Sequence, residues 1–287
     1  MKQLNLDKKN CAKWPRGDFL ANEICSDDYN RVVLETIEGE HDSDYVNASY
    51  VDSLLKPNAY IVTQGPTEET VTDFWRMVWQ EKACCIVMLT KTFDFIKVMC
   101  VQYWPASKEL EETYGGITIG IIQEEELANF HIRTFRLCKK ELDQVVEERF
   151  ILQFHFTEWH SHTCPFSNAV LEFRRRVRAV VGHRIKSNEA GPMVVHCNDG
   201  GGRSGVYLAI DANMELQEEE DKFDVFGYLK KLRQSRKGLV ENVVAFKEKH
   251  LSENGIVGFF TRSLSQLILE IALRVALWEI VYELQKF

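Results

Sequence analysis

The stretch Val194-Val195-His196-Cys197-Asn198-Asp199-Gly200-Gly201-Gly202-Arg203-Ser204-Gly205 limits what this chain can become more than any other. An apolar, β-prone run ends in a cysteine, three glycines and an arginine follow, and a helix-compatible segment continues over 206–219. A strand that feeds a glycine-rich turn into a helix start forms an anion cradle. Backbone N–H groups converge on it, and the helix dipole adds partial positive charge. A cysteine on its floor is expected to be a thiolate near neutral pH, because those donors stabilise the charge. Arg203 can return across the loop and grip an anionic group with two nitrogens. Cys197 thus reads as a nucleophile and Arg203 as an oxyanion clamp, a layout suited to phosphate esters. The alternative is a buried structural cysteine beside a chance glycine turn.

The remaining chain must supply a sheet to hold that strand. A length of 287 residues is enough for a sizeable core. The runs 43–52 and 59–64 have strand character, and Gly65-Pro66 breaks the second. Residues 67–82 have helical spacing, with Val71, Phe74, Trp75, Val78 and Trp79 on one face. The continuous apolar run 84–90 fits a central strand. Further strands are expected at 98–103, 117–122, 130–137, 150–157 and 193–195. Residues 166–181 form a helix with Phe166, Ala169, Val170, Phe173, Val177 and Val181 inward and Arg174, Arg175 and Arg178 outward. Helices mixed with many strands give an α/β or α+β domain around a large mixed sheet.

Charge and cysteine usage narrow the setting. A net charge of −8 argues against nucleic acid as the partner. Eight scattered cysteines, without a C-x-x-C pair or a secretory leader, fit reduced thiols in the cytoplasm.

Several spaced motifs then agree. Ser43-Asp44-Tyr45-Val46-Asn47-Ala48-Ser49-Tyr50, Thr63-Gln64-Gly65-Pro66, Gln102-Tyr103-Trp104-Pro105, Gln153-Phe154-His155-Phe156-Thr157-Glu158-Trp159 and the opening stretch occur in this order. With them the chain resembles the protein tyrosine phosphatase family, most of all the phosphatase domains of its receptor-type members. The resemblance implies a large twisted mixed sheet flanked by helices, in a phosphatase domain over 1–250 followed by an atypical tail over 251–287. It implies phosphotyrosine proteins as substrates, no cofactor, no metal, and a cytoplasmic place or the intracellular part of a membrane receptor. By the same resemblance Cys197 is the nucleophile, Arg203 binds phosphate, and the Ser204 hydroxyl supports the thiolate. His196 orders the loop, and Asn198, Asp199, Gly200, Gly201, Gly202 and Arg203 form the substrate-binding cradle.

The chain also departs from the family's pattern. The family's Trp-Pro-Asp loop supplies an aspartic acid that protonates the departing tyrosyl oxygen, whereas here Trp159-His160-Ser161 places a serine there. A phenol has a pKa near 10, so expelling it unprotonated is costly. His160, His162 or Glu158 are the substitute acids within reach; His160, His162 and Cys164 also alternate like metal ligands, but three residues on one loop make a poor site. The family's two water-positioning glutamines correspond to Glu241 and Ala245, and its stacking tyrosine is missing from the region of Asp18-Phe19-Leu20-Ala21-Asn22. Asp199 stands where a small apolar residue is usual; turned inward it would repel a phosphate dianion, turned outward only its backbone would matter. Residues 264–284 read as a broadly apolar amphipathic helix, a contact for this domain, another phosphatase domain or another partner. The expectation is an impaired, pseudophosphatase-like domain that binds phosphotyrosine proteins. The rival is a working phosphatase with a substitute acid, and a smaller place remains for redox sensing through Cys197.

Overall fold

The structure, a computed structural model, describes residues 26–41, 43–94, 96–141, 144–160, 167–186 and 191–240. Among them four strands pair in parallel as the middle of the sheet: β3 (Tyr60–Thr63), β11 (Met193–His196), β4 (Cys85–Met88) and β10 (Gln144–Phe156). All four residues of β3, β4 and β11 are buried, as expected of strands covered on both faces. Antiparallel strands extend both edges. β2 (Tyr45–Val51) and β1 (Arg31–Val33) lie beyond β3; β9 (Phe130–Glu141), β8 (Ile117–Glu126) and β7 (Glu111–Tyr114) lie beyond β10. The nine described strands of this sheet run β1-β2-β3-β11-β4-β10-β9-β8-β7, and β5 (Phe93–Asp94) pairs separately with β6 (Lys97–Val98). This is the large mixed sheet expected from the sequence.

The pleat divides the core into two layers. Val62, Cys85, Val87, Met193 and Val195 pack with α2 (Ser167–Lys186), α3 (Gly202–Glu220) and α4 (Val225–Ser235). Ile61, Ile86, Met88 and Val194 point the other way, onto α1 (Val71–Gln80). In α1 the expected face is buried: Val71, Phe74, Trp75, Val78 and Trp79, with Met77 added. Among the described residues no helix is long and apolar enough to cross a membrane.

Two expectations are corrected. Of the predicted strand 98–103, only Val98 is paired, in the short β5–β6 hairpin. Tyr103 and Trp104 are buried through side-chain contacts with Phe74, Trp75, His155 and His196, so aromatic packing rather than a ladder satisfies this run. Arg174 and Arg178 of α2 do not face solvent. Arg174 is 2% exposed, and both guanidiniums bond the fully buried Asp211 of α3, at 2.9 Å from Arg174 Nε and 2.8 Å from Arg178 Nε. Tyr60 Oη donates to the other oxygen of Asp211 at 2.8 Å. Burial alone would raise the Asp211 pKa, but the Arg178 and Arg174 charges outweigh it and hold the carboxyl at about 2. α4 adds an unexpected helix, capped by Asp224 Oδ1 accepting from Gly227 N at 2.8 Å.

Candidate active site

The parallel strands β3, β11 and β4 end side by side, and their carboxyl ends are where an open α/β sheet offers a crevice. β11 ends at His196 and α3 begins at Gly202, so residues 197–201 make the intervening turn. Two backbone bonds fasten the turn to its neighbours: Gly65 N donates to Asn198 O at 2.9 Å, and Leu89 N donates to His196 O at 2.9 Å. Close approach fixes two glycines. Gly200 has φ +69, and a Cβ there would lie 2.4 Å from Thr63 O; a Cβ on Gly65 would lie 2.7 Å from Cys197 O. The loop is further tied from behind by the buried Arg236, whose Nε donates to Gly200 O at 3.1 Å and whose Nη1 donates to Ser49 Oγ at 3.1 Å.

Cys197 is 2% exposed at the floor of this turn. The Ser204 backbone N–H and hydroxyl face its sulfur, and that hydroxyl has no conventional hydrogen-bond partner among the described residues. Asp199 turns inward. Its Oδ1 accepts from Cys197 Sγ at 3.3 Å and from Gly201 N at 3.0 Å. Burial pushes the Cys197 thiol pKa up from its ordinary value, and the Asp199 charge pushes the same way; Ser204 and Arg203 oppose them without prevailing. This corrects the expected thiolate. Cradle amides and a helix start lower a cysteine pKa only where they outweigh desolvation, and here a carboxylate beside the sulfur tips the balance.

A polar relay backs the cysteine. His196 Nδ1 donates to Cys197 O at 3.2 Å, and burial holds the imidazole neutral, with its pKa depressed to about 4. With that proton on Nδ1, Nε2 is an acceptor, so Tyr103 Oη donates to it at 2.8 Å. Gln153 Nε2 in turn donates to Tyr103 Oη at 2.8 Å, and Gln153 Oε1 accepts from Arg133 Nη1 at 3.0 Å. Arg133 is anchored by Glu124 at 2.6 Å. A side branch passes from Arg133 to His155 Nδ1 at 3.2 Å, and His155 Nε2 donates to Thr90 O at 2.9 Å. Burial, with the Arg133 charge, lowers the His155 pKa to about 3. Arg203 meets this branch, donating from Nη1 to Thr90 Oγ1 at 2.9 Å and to Leu89 O at 3.3 Å.

His196, Cys197, Asn198, Asp199, Gly200, Gly201, Gly202, Arg203 and Ser204 therefore stand together in one loop and helix start. Glu158 and His160 lie on the segment after β10, with Glu158 Oε2 3.8 Å from His160 Nε2 and Trp159 buried between them. Ser161, His162 and Cys164 lie outside the described residues, as do 18–22, Phe166, Glu241, Ala245 and the tail 251–287. Sequence reasoning gave no role to Thr90, Tyr103 or Arg236. Tyr103 carried a signal, an aromatic in a quoted motif, and Arg236 opens the segment that the resemblance sets against the family's Arg-Pro turn and glutamines; Thr90 carried none beyond its position at the end of an apolar run.

Fold and site define a class: a mixed-sheet α/β domain with a buried cysteine in a glycine-rich turn, at the carboxyl edge of parallel strands. The family description "Protein-tyrosine phosphatase" matches residues 21–250, and the chain belongs to that family. It is 41% identical over 234 residues to the receptor-type tyrosine-protein phosphatase F of Bos taurus, across 80% of this chain and 12% of that protein. It is 42% identical over 215 residues to the tyrosine-protein phosphatase Lar of Drosophila melanogaster, across 75% of this chain and 10% of that protein. The human receptor-type tyrosine-protein phosphatase F is 41% identical over 215 residues, across 75% and 11%. The chain thus spans about an eighth or less of the relatives' length.

Proposed function

We propose that this domain binds phosphotyrosine proteins through the cradle 197–203 and hydrolyses them poorly, acting as a pseudophosphatase-like binding or regulatory module. Cys197 would be the nucleophile, Arg203 the phosphate clamp, Ser204 the support for the sulfur, and His196 the residue that orders the loop. No metal or cofactor enters this scheme. The domain would work on the cytoplasmic side, alone or as part of a receptor, with a partner domain held by the tail 251–287. One observation carries the impairment: Ser161 follows Trp159-His160 where the family resemblance implies an acid. Serine cannot deliver a proton at a useful pKa, and losing general acid help slows expulsion of a phenol by roughly 10²- to 10⁴-fold. The Glu241 and Ala245 replacements act on the second step, because neither offers an amide to orient water against a phosphocysteine.

The test is hydrolysis of an aryl phosphate with an acidic phenol beside a phosphotyrosine peptide. The expected result is slow turnover of the first, dependent on Cys197, and turnover of the second lower by roughly 10²-fold or more. Equal, brisk rates abolished by Cys197→Ser would overturn the reading. Ser161→Asp combined with Glu241→Gln should raise the peptide rate.

A second reading, a working phosphatase with a substitute acid from Glu158, His160 or His162, is favoured by the Glu158–His160 pairing at 3.8 Å. It requires that His160→Ala or Glu158→Gln slow the peptide selectively, leaving the activated ester unaffected.

A further inference from the structure

The inward turn of Asp199 has a consequence for what the cradle can hold. A bound phosphoryl group needs space against Cys197 Sγ and needs the amides around it as donors. One carboxylate oxygen of Asp199 already takes part of each: it lies 3.3 Å from Cys197 Sγ and accepts from one amide of the turn, Gly201 N, at 3.0 Å. α3 has no side chain capping its first turn from the N-cap Gly201, and Asp199 accepts from the N–H of that residue, at the mouth of the helix start. Gly200 packs so closely that even a Cβ would meet Thr63 O at 2.4 Å, and Arg236 holds Gly200 O from the other side. Arg203, the proposed clamp, reaches instead to Thr90 Oγ1 and Leu89 O.

We propose that Asp199 is a resident ligand of the cradle, holding the place of a phosphoryl group so that tetrahedral oxyanions enter only when its carboxylate swings out. The inference rests on the reading of the cradle as a phosphate site, and adds the residue that governs access to it. Exclusion acts twice, through the volume of the carboxylate and through its charge against an incoming dianion. Asparagine keeps the volume and removes the charge; alanine removes both.

The experiment is calorimetric titration of the full chain with tungstate and, separately, with a phosphotyrosine peptide, using wild type, Asp199→Ala, Asp199→Asn and Asp199→Ala/Arg203→Met. Tungstate should bind Asp199→Ala at least tenfold more tightly than wild type, Asp199→Asn should fall between them, and Arg203→Met should erase the gain. Should the alanine variant not fold, the asparagine variant alone must tighten tungstate. Tungstate affinities within twofold across wild type and both single variants would overturn the proposal. The peptide separates the two claims. A gain for tungstate with no peptide binding to any variant leaves the resident ligand standing and removes the phosphotyrosine reading. Tight, equal peptide binding by wild type and both single variants does the reverse.

Discussion

Two aspartates on or beside α3 meet opposite fates. Asp211, in the middle of the helix, is fully buried between the guanidiniums of Arg174 and Arg178, with Tyr60 Oη on its second oxygen. Asp199, just before the helix, spends its inward oxygen on a thiol and a backbone amide. The first is a charge whose partners more than offset its desolvation, and it locks α2 to α3. The second sits in the glycine-rich turn and pushes the pKa of the cysteine beside it upward. A carboxylate near one helix is thus a fully buried joint in one case and a half-buried neighbour of a thiol in the other; the donors around it decide which.

The comparison breaks most visibly under truncation. Asp211→Ala should leave two buried guanidiniums without their shared carboxylate and cost about 3–5 kcal/mol in a urea titration. Asp199→Ala, which removes two hydrogen bonds at a half-buried position, should cost less, about 1–3 kcal/mol. A similar loss in both would abolish the distinction.

Glycine changes come next. Gly200→Ala combines a positive φ with a 2.4 Å approach to Thr63 O and should destabilise by more than about 2 kcal/mol while loosening the cradle. Gly116→Ala, at φ +82 in open space, bears only the conformational term of about 1 kcal/mol. Thermal unfolding of the two variants measures the gap.

Acid sharpens the contrast. His196 and His155 titrate near 4 and 3 in the folded domain instead of 6.5, so between about pH 6.5 and 4 the unfolded chain binds more protons. Stability should therefore fall as pH drops through that window. Asp211 joins at lower pH: its pKa of about 2 lies below the ordinary 3.8, so its contribution, full above 3.8, is lost as pH falls toward 2. His196→Gln should flatten part of the upper segment in a pH series of urea titrations. Tyr103→Phe, which removes the donor to His196 Nε2, should cost about 1–3 kcal/mol in the same titrations with little change of fold.

The sequence made the fold legible where burial follows a period. Strands β3 and β4 and the face of α1 are readable because each obeys one spacing over its whole length. α4 carries a weaker form of the same signal, Val225, Tyr228, Leu229 and Leu232 on one face of only eleven residues. Arg174 and Arg178 could not be read as inward, since arginine on a helix is solvated by default and the carboxylate that changes this lies 37 and 33 positions away. The 98–103 run misled because apolar and aromatic residues bury equally well as loop side chains stacked on a core. The cradle was legible as a motif; its electrostatic state was not. Whether a carboxylate two positions from a cysteine turns in or out depends on a rotamer, and the turn decides the balance between amide donors and desolvation.

That balance can be measured directly. The pH dependence of Cys197 alkylation by iodoacetamide, followed on its own peptide by mass spectrometry, reports the ionisation of the thiol. The groups facing the sulfur are Asp199, Arg203 and Ser204, with Cys100 behind and the neutral His196 preceding it. Desolvation and Asp199 place the midpoint above the ordinary cysteine value of 9, and Asp199→Asn should move it down. A wild-type midpoint below neutrality, unmoved by Asp199→Asn, would contradict the account.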